Sequence, residues 1–148
     1  MTGTLSPAET RDLQRLLGIM IPASGEYGIP AANDPIIFAD ILASLGRDLA
    51  EVRTALDELA TFAGGPFAGL DEARAAAVAG LFLASDSHAV GVLGRHILLC
   101  YYRDDRVLRS LGQEPRAPFP QGHVVEQGDW SLLEAVKGRP QLWRDDRS

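Results

Sequence analysis

The chain has 148 residues, 46% of them hydrophobic, which is enough apolar material for a domain of ordinary size with a proper core. Its net charge of -6 leaves no surplus of Lys and Arg to neutralise phosphates, so nonspecific nucleic-acid binding is excluded. The single cysteine, Cys100, excludes an intrachain disulfide and a thiol-rich metal site, and its apolar setting reads as that of a structural thiol.

The opening MTGTLSPAETRDLQ lacks the charged start, apolar stretch and small-residue cleavage site of a secretory signal, so the expected location is the cytoplasm. Ser6, Pro7 and Glu9 form a capping box with Pro in the first helical position. Leu13, Leu16, Leu17, Met20 and Ile21 then recur at helical intervals and predict a helix from Pro7 to Met20. Residues 22–33, PASGEYGIPAAN, carry two Pro and two Gly and predict a loop. Asp34 and Pro35 repeat the start signal, with Ile37, Phe38, Ile41, Leu42 and Leu45 on the apolar side and Gly46 as the stop. A third helix is predicted over residues 48–63, where Leu49, Val52, Leu56, Leu59 and Ala63 alternate until Gly64, Gly65 and Pro66 end it. GGPFAG is no phosphate-cradling loop, because neither a preceding strand nor a following Lys-Ser or Lys-Thr pair accompanies it.

Asp71 starts a fourth helix in which Ala73, Ala76, Ala77, Gly80 and Ala84 make a stripe of small residues. Residues 88–112 follow and read as the part of the chain that the rest surrounds. Apolar or small residues fall on nearly every side of the first half, which predicts an enclosed helix whose Gly91 and Gly94 admit the small-residue stripe. At about 15 residues, broken by Arg95 and His96, the run is too short for the roughly 20 needed to cross a bilayer, and no membrane insertion is expected. Asp104 caps a short further helix with Val107, Leu108 and Leu111 as its apolar stripe and Gly112 as its stop. Strict apolar-polar alternation is missing throughout. The expected fold is all-α: four to five helices in a compact bundle over residues 1–112, then an extended tail over residues 113–148.

That tail holds four of the nine Pro and both Trp. Phe119, Trp130 and Trp143 each offer a large surface that favours burial, either on the tail's own bundle or on another protein. Asp129 or Ser131 is placed to cap a short helix through Leu132, Leu133 and Val136. Charge also shifts along the chain, from 5 basic and 12 acidic side chains in residues 1–94 to 9 and 8 in residues 95–148. The later part is thus the better match for an acidic partner.

No catalytic set emerges. Ser85, Asp86, Ser87 and His88 are triad residue types, yet four in a row cannot face one another, and they read as a helix boundary. His88, His96 and His123 are scattered without metal-ligand spacing, and His96 reads as a satisfied core histidine. Tyr101, Tyr102 and Arg103 end the central helix as a corner suited either to packing or to a partner.

LQRLLGIMIPAS at residues 13–24, DPIIF at residues 34–38 and YYRDDRVLRSLG at residues 101–112 together resemble the small, or gamma, subunit of gluconate 2-dehydrogenase and related flavin-dependent sugar dehydrogenases. The resemblance implies a helical accessory chain without chemistry, cofactor or metal of its own. It would be bound to a large FAD-containing oxidoreductase of the glucose-methanol-choline type, to which some systems add a cytochrome c subunit. Contacts are expected at Tyr101, Tyr102, Arg103, Phe119, Trp130 and Trp143. Small subunits of that family often carry a twin-arginine export signal. This opening has none, so a cytoplasmic complex acting on a sugar, glycoside or other alcohol is the expectation. Two other readings stand beside it: a self-contained helical binding protein or enzyme that holds a small molecule between the 22–33 loop and the central helix, near Tyr27, His96 and Tyr101, and a homo-oligomer that exchanges tails.

Overall fold

Ser6, Asp34, Asp71 and Asp104 each stand one residue ahead of a helix and accept hydrogen bonds from its first-turn N–H groups. These caps satisfy donors that the helix itself leaves unpaired, and they set where four of its elements begin. The computed structural model describes residues 3–116 and 127–140. The helices are α1 (Pro7–Met20), α2 (Pro35–Ser44), α3 (Leu49–Ala63), α4 (Glu72–Leu83), α5 (His88–Tyr101) and α6 (Asp105–Ser110), with α7 (Glu134–Lys137) beyond them. Single 3₁₀ turns lie at Gly46–Asp48 and Phe67–Gly69. The fold is all-α, as the sequence predicts, and the described residues contain no strand beyond one isolated bridge between Ser24 and Ile29.

By backbone contacts the chain divides into two units, residues 1–115 and 116–148. In the first, α3 is the hub. Its buried side, Val52, Ala55, Leu56, Leu59 and Ala63, packs against α1, α4 and α5, and α2 lies on α5. Gly64, at φ 71°, takes the left-handed turn that ends α3, and Gly65 N–H returns to the Ala60 carbonyl. The chain then drops Phe67, fully buried, against α1. Enclosing each large side chain of this kind contributes about 1.5–3 kcal/mol, and Phe82 on α4 is equally shut away.

Two expectations fail. The small-residue stripe of α4 faces solvent, because Ala75, Val78, Ala79 and Phe82 give the core a larger apolar surface than Ala73, Ala76, Ala77 and Gly80. A Cβ at Gly91 or Gly94 would meet nothing within 4 Å, so no helix approaches α5 on that side. Nor is α5 enclosed. Ala89, Val90, Leu93, His96, Ile97, Cys100 and Tyr101 are its buried residues, while Leu98 is 44% and Leu99 61% exposed. No single described helix is long and apolar enough to cross a membrane, and the break after α4 turns the chain by 108° into α5.

In the second unit, Asp129 accepts from Ser131 N–H and caps a 3₁₀ turn, Trp130–Leu133, that runs into α7. Ser131 is thus the capped residue and Asp129 the cap.

Candidate functional site

The corner after α5 is where the apolar core meets the densest ion pairing of the bundle. Tyr101 is 2% exposed, and its hydroxyl donates to the Pro30 carbonyl at 2.9 Å, pinning the loop of residues 22–33. Burial pushes its phenol above the usual range. The expectation that Tyr101 meets a partner is therefore corrected: its ring is part of the core. Arg103 forks onto both oxygens of Asp40 on α2, each at 2.6 Å, and that hydrogen bonding raises the guanidinium's already high pKa.

Arg106 reaches further. Its guanidinium donates to Asp34, the cap of α2, at 2.7 and 3.1 Å, and to Asp104, the cap of α6, at 3.0 and 3.1 Å. One cation thus bridges two N-caps 70 positions apart in sequence. The Arg106 hydrogen bonds hold both carboxyls below the usual carboxylate range.

Behind this clasp, His96 is buried with Nε2 3.2 Å from the Ile41 carbonyl oxygen and Nδ1 3.7 Å from Asp48 Oδ2. Ser44 donates to the Asp40 carbonyl at 2.6 Å and stands 3.3 Å from Cys100 Sγ. These are closed contacts between α2 and α5. The structural readings of His96 and Cys100 are the ones realised, and Tyr27 stands apart from them in solvent, 66% exposed. At the boundary before α5, Ser85 donates to the Phe82 carbonyl and Ser87 to Glu58, so neither hydroxyl meets His88. Among the described residues no three His, Cys, Asp or Glu side chains gather as metal donors.

Beside these charges the corner presents an apolar strip outward. Leu98, Leu99 and Tyr102 share the outer side of α5 and, between Arg95 and Arg103, line a groove of ≈ 590 Å³. Tyr102 is half exposed and stands edge-on to Tyr101, ring centroids 5.4 Å apart, so the buried ring holds the exposed one in place. Both flanking arginines are tied back, Arg103 to Asp40 and Arg95 to Asp48 at 3.4 Å. Leu98 and Leu99 went unmarked as site residues in the sequence because they read as core, and only their three- and four-residue spacing to Arg95 and Tyr102 separates this strip from the inner one.

Trp130 is 67% exposed and its indole N–H donates to Gln127. Leu132, Leu133 and Val136 beside it are exposed as well. Phe119 and Trp143 lie outside the described residues. Comparison with protein-family models, with curated proteins and with solved structures finds no match for this chain.

Proposed function

We propose that this chain is a noncatalytic subunit that binds and stabilises a large flavin-dependent oxidoreductase of the glucose-methanol-choline type, acting on a sugar, glycoside or alcohol. FAD belongs to that partner. The observation that carries the reading is the outward strip of Leu98, Leu99 and Tyr102 at the end of the helix that opens the YYRDDRVLRSLG motif. A tyrosine bordered by arginine is what interface centres favour, and the two leucines add apolar area around it. Trp130 supplies a second exposed aromatic anchor. The motif's polar residues serve the chain's own fold, so a partner would read the apolar strip beside them.

Coexpression with a flavoprotein encoded next to this chain tests the proposal. A tagged chain should retain a yellow, FAD-bearing partner, and the triple change Leu98→Ser, Leu99→Ser, Tyr102→Ser should release it. A parent chain that stays monomeric and soluble by light scattering and retains no flavoprotein would sink the reading. Self-association rising with concentration would instead favour a homo-oligomer.

A further inference from the structure

Beside its buried face, α1 carries a polar strip. Arg11, Gln14, Arg15 and Gly18 follow at intervals of three and four, so they lie along one side of the helix. They line a cleft of ≈ 590 Å³ together with Asn33 from the end of the first loop and Glu72 from the first turn of α4.

The guanidinium groups here differ from most of those elsewhere in the bundle. Arg53, Arg95, Arg103, Arg106 and Arg109 pair with carboxylates, whereas among the described residues Arg11 and Arg15 have no ion-pair partner; Arg74, the other such arginine of the bundle, turns back to the Ala63 carbonyl. Arg15 is fixed all the same, because its Nη2 donates to the Leu70 carbonyl at 2.9 Å. Its Nε is buried with no hydrogen-bond partner, a state that costs free energy until something accepts from that group. Asp12 does not serve, since its carboxylate accepts the Ala68 N–H at 2.7 Å and holds the turn at Phe67–Gly69.

Asn33 completes the arrangement. Its carboxamide lies directly over α1 at Gly18, where an added Cβ would come within 2.5 Å of Nδ2. Glycine at this position is what admits Asn33 to the cleft, and the carboxamide is half-buried there with none of the described hydrogen bonds.

We propose that this cleft binds a small carboxylate anion. Arg15 is the anchored guanidinium, Arg11 the exposed one that folds over the ligand, and the amides of Asn33 and Gln14 donate to its remaining lone pairs. A planar carboxylate matches the donor fork of arginine better than a spherical ion does. Glu72 carries the wrong charge for such a ligand and sets the affinity low.

The test titrates the full chain with sodium malonate against sodium chloride at constant ionic strength, following backbone amide resonances. Saturable shifts are expected at Gly18, Asn33 and Ala68. Arg11→Gln should weaken binding about tenfold, the size expected for losing a charge-assisted hydrogen bond. Gly18→Ala should weaken it too by displacing the Asn33 carboxamide, and Asn33→Ala removes the same group should the helix change unfold the chain. Glu72→Gln should tighten binding. Shifts that never saturate, that persist unchanged in Arg11→Gln and Asn33→Ala, or that sodium sulfate reproduces at equal concentration would overturn the proposal.

Discussion

The outer strip of α5 and the corner that follows it overlap in sequence, yet they put their side chains to opposite uses. In residues 101–112 the conspicuous groups are charged or phenolic, and four of them are engaged within the chain: Tyr101 on Pro30, Arg103 on Asp40, and Arg106 on Asp34 and Asp104. In residues 98–102 the conspicuous groups are apolar, and Leu98, Leu99 and Tyr102 face out. The usual association of polar motifs with contact and apolar ones with core is reversed here. A charged run is open for function only once its partners within the chain have been counted, and in this corner they account for Arg103, Asp104 and Arg106.

Equal cuts on the two sides of α5 should have unequal effects. Ile97 is fully buried and Leu99 mostly exposed. Ile97→Ala should cost roughly 2–5 kcal/mol through lost transfer energy and the cavity left behind, as is typical of buried aliphatic truncations. Urea denaturation followed by circular dichroism reads it directly. A loss under ~1 kcal/mol would mean that the inner side is not the core side.

Next in size is the clasp. Arg106→Ala leaves two cap carboxylates without their shared cation and frees α2 from α6. Since the guanidinium is over a third exposed, solvent screening reduces the loss to about 1–2 kcal/mol. Thermal melts should show it, together with faster amide exchange at Ile36 and Val107, whose N–H groups face those caps.

Acid should undo the same contact. Asp34 and Asp104 have folded-state pKa values below their unfolded value of about 3.9, because the Arg106 hydrogen bonds favour the charged form. Groups shifted in that direction give their full stabilisation above the unfolded pKa and lose it as pH falls through the folded one. Glu9 is lowered in the same sense by its bond from Ser6 N–H. The melting temperature should therefore hold near neutrality and drop below about pH 4. In Arg106→Gln the drop should be shallower, with the Glu9 part remaining, and an identical acid profile in parent and variant would remove the clasp from the account.

How much of this the sequence discloses follows from the range of each interaction. The capping box at Ser6 and Glu9, the caps at Asp34, Asp71 and Asp104, and the left-handed stops at Gly64 and Gly112 are local, and each is realised where the residue types place it. Which side of α4 or α5 turns inward is not local. Both helices carry two apolar strips, and periodicity finds the strips without ranking them; packing against α3 decides. Arg106 reaching Asp34 is beyond any pattern of spacing, and so is Asp12, whose burial depends on a backbone N–H 56 positions away. The candidate face was thus half visible: Tyr102 and Arg103 stood out by type, while Leu98 and Leu99 were hidden among residues that resemble core.

The smallest expected effect on stability is the most informative about function. Leu98→Ser with Leu99→Ser cuts side chains that are 44% and 61% exposed, so folding should change by no more than about 1 kcal/mol, roughly 0.5 kcal/mol for each of two surface substitutions. An isolated chain carrying both changes should melt within a few degrees of the parent and be less prone to stick to apolar resins. If the strip is a seat for the flavoprotein, those same changes should weaken retention of the partner far more than they alter the melt, because interface centres concentrate binding energy in a few desolvated groups. The two measurements pull apart only if the outer strip is idle in the free chain. Were the double variant to lose stability comparable to Ile97→Ala, Leu98 and Leu99 would be holding the bundle together, and the division between the two sides of α5 would fail with them.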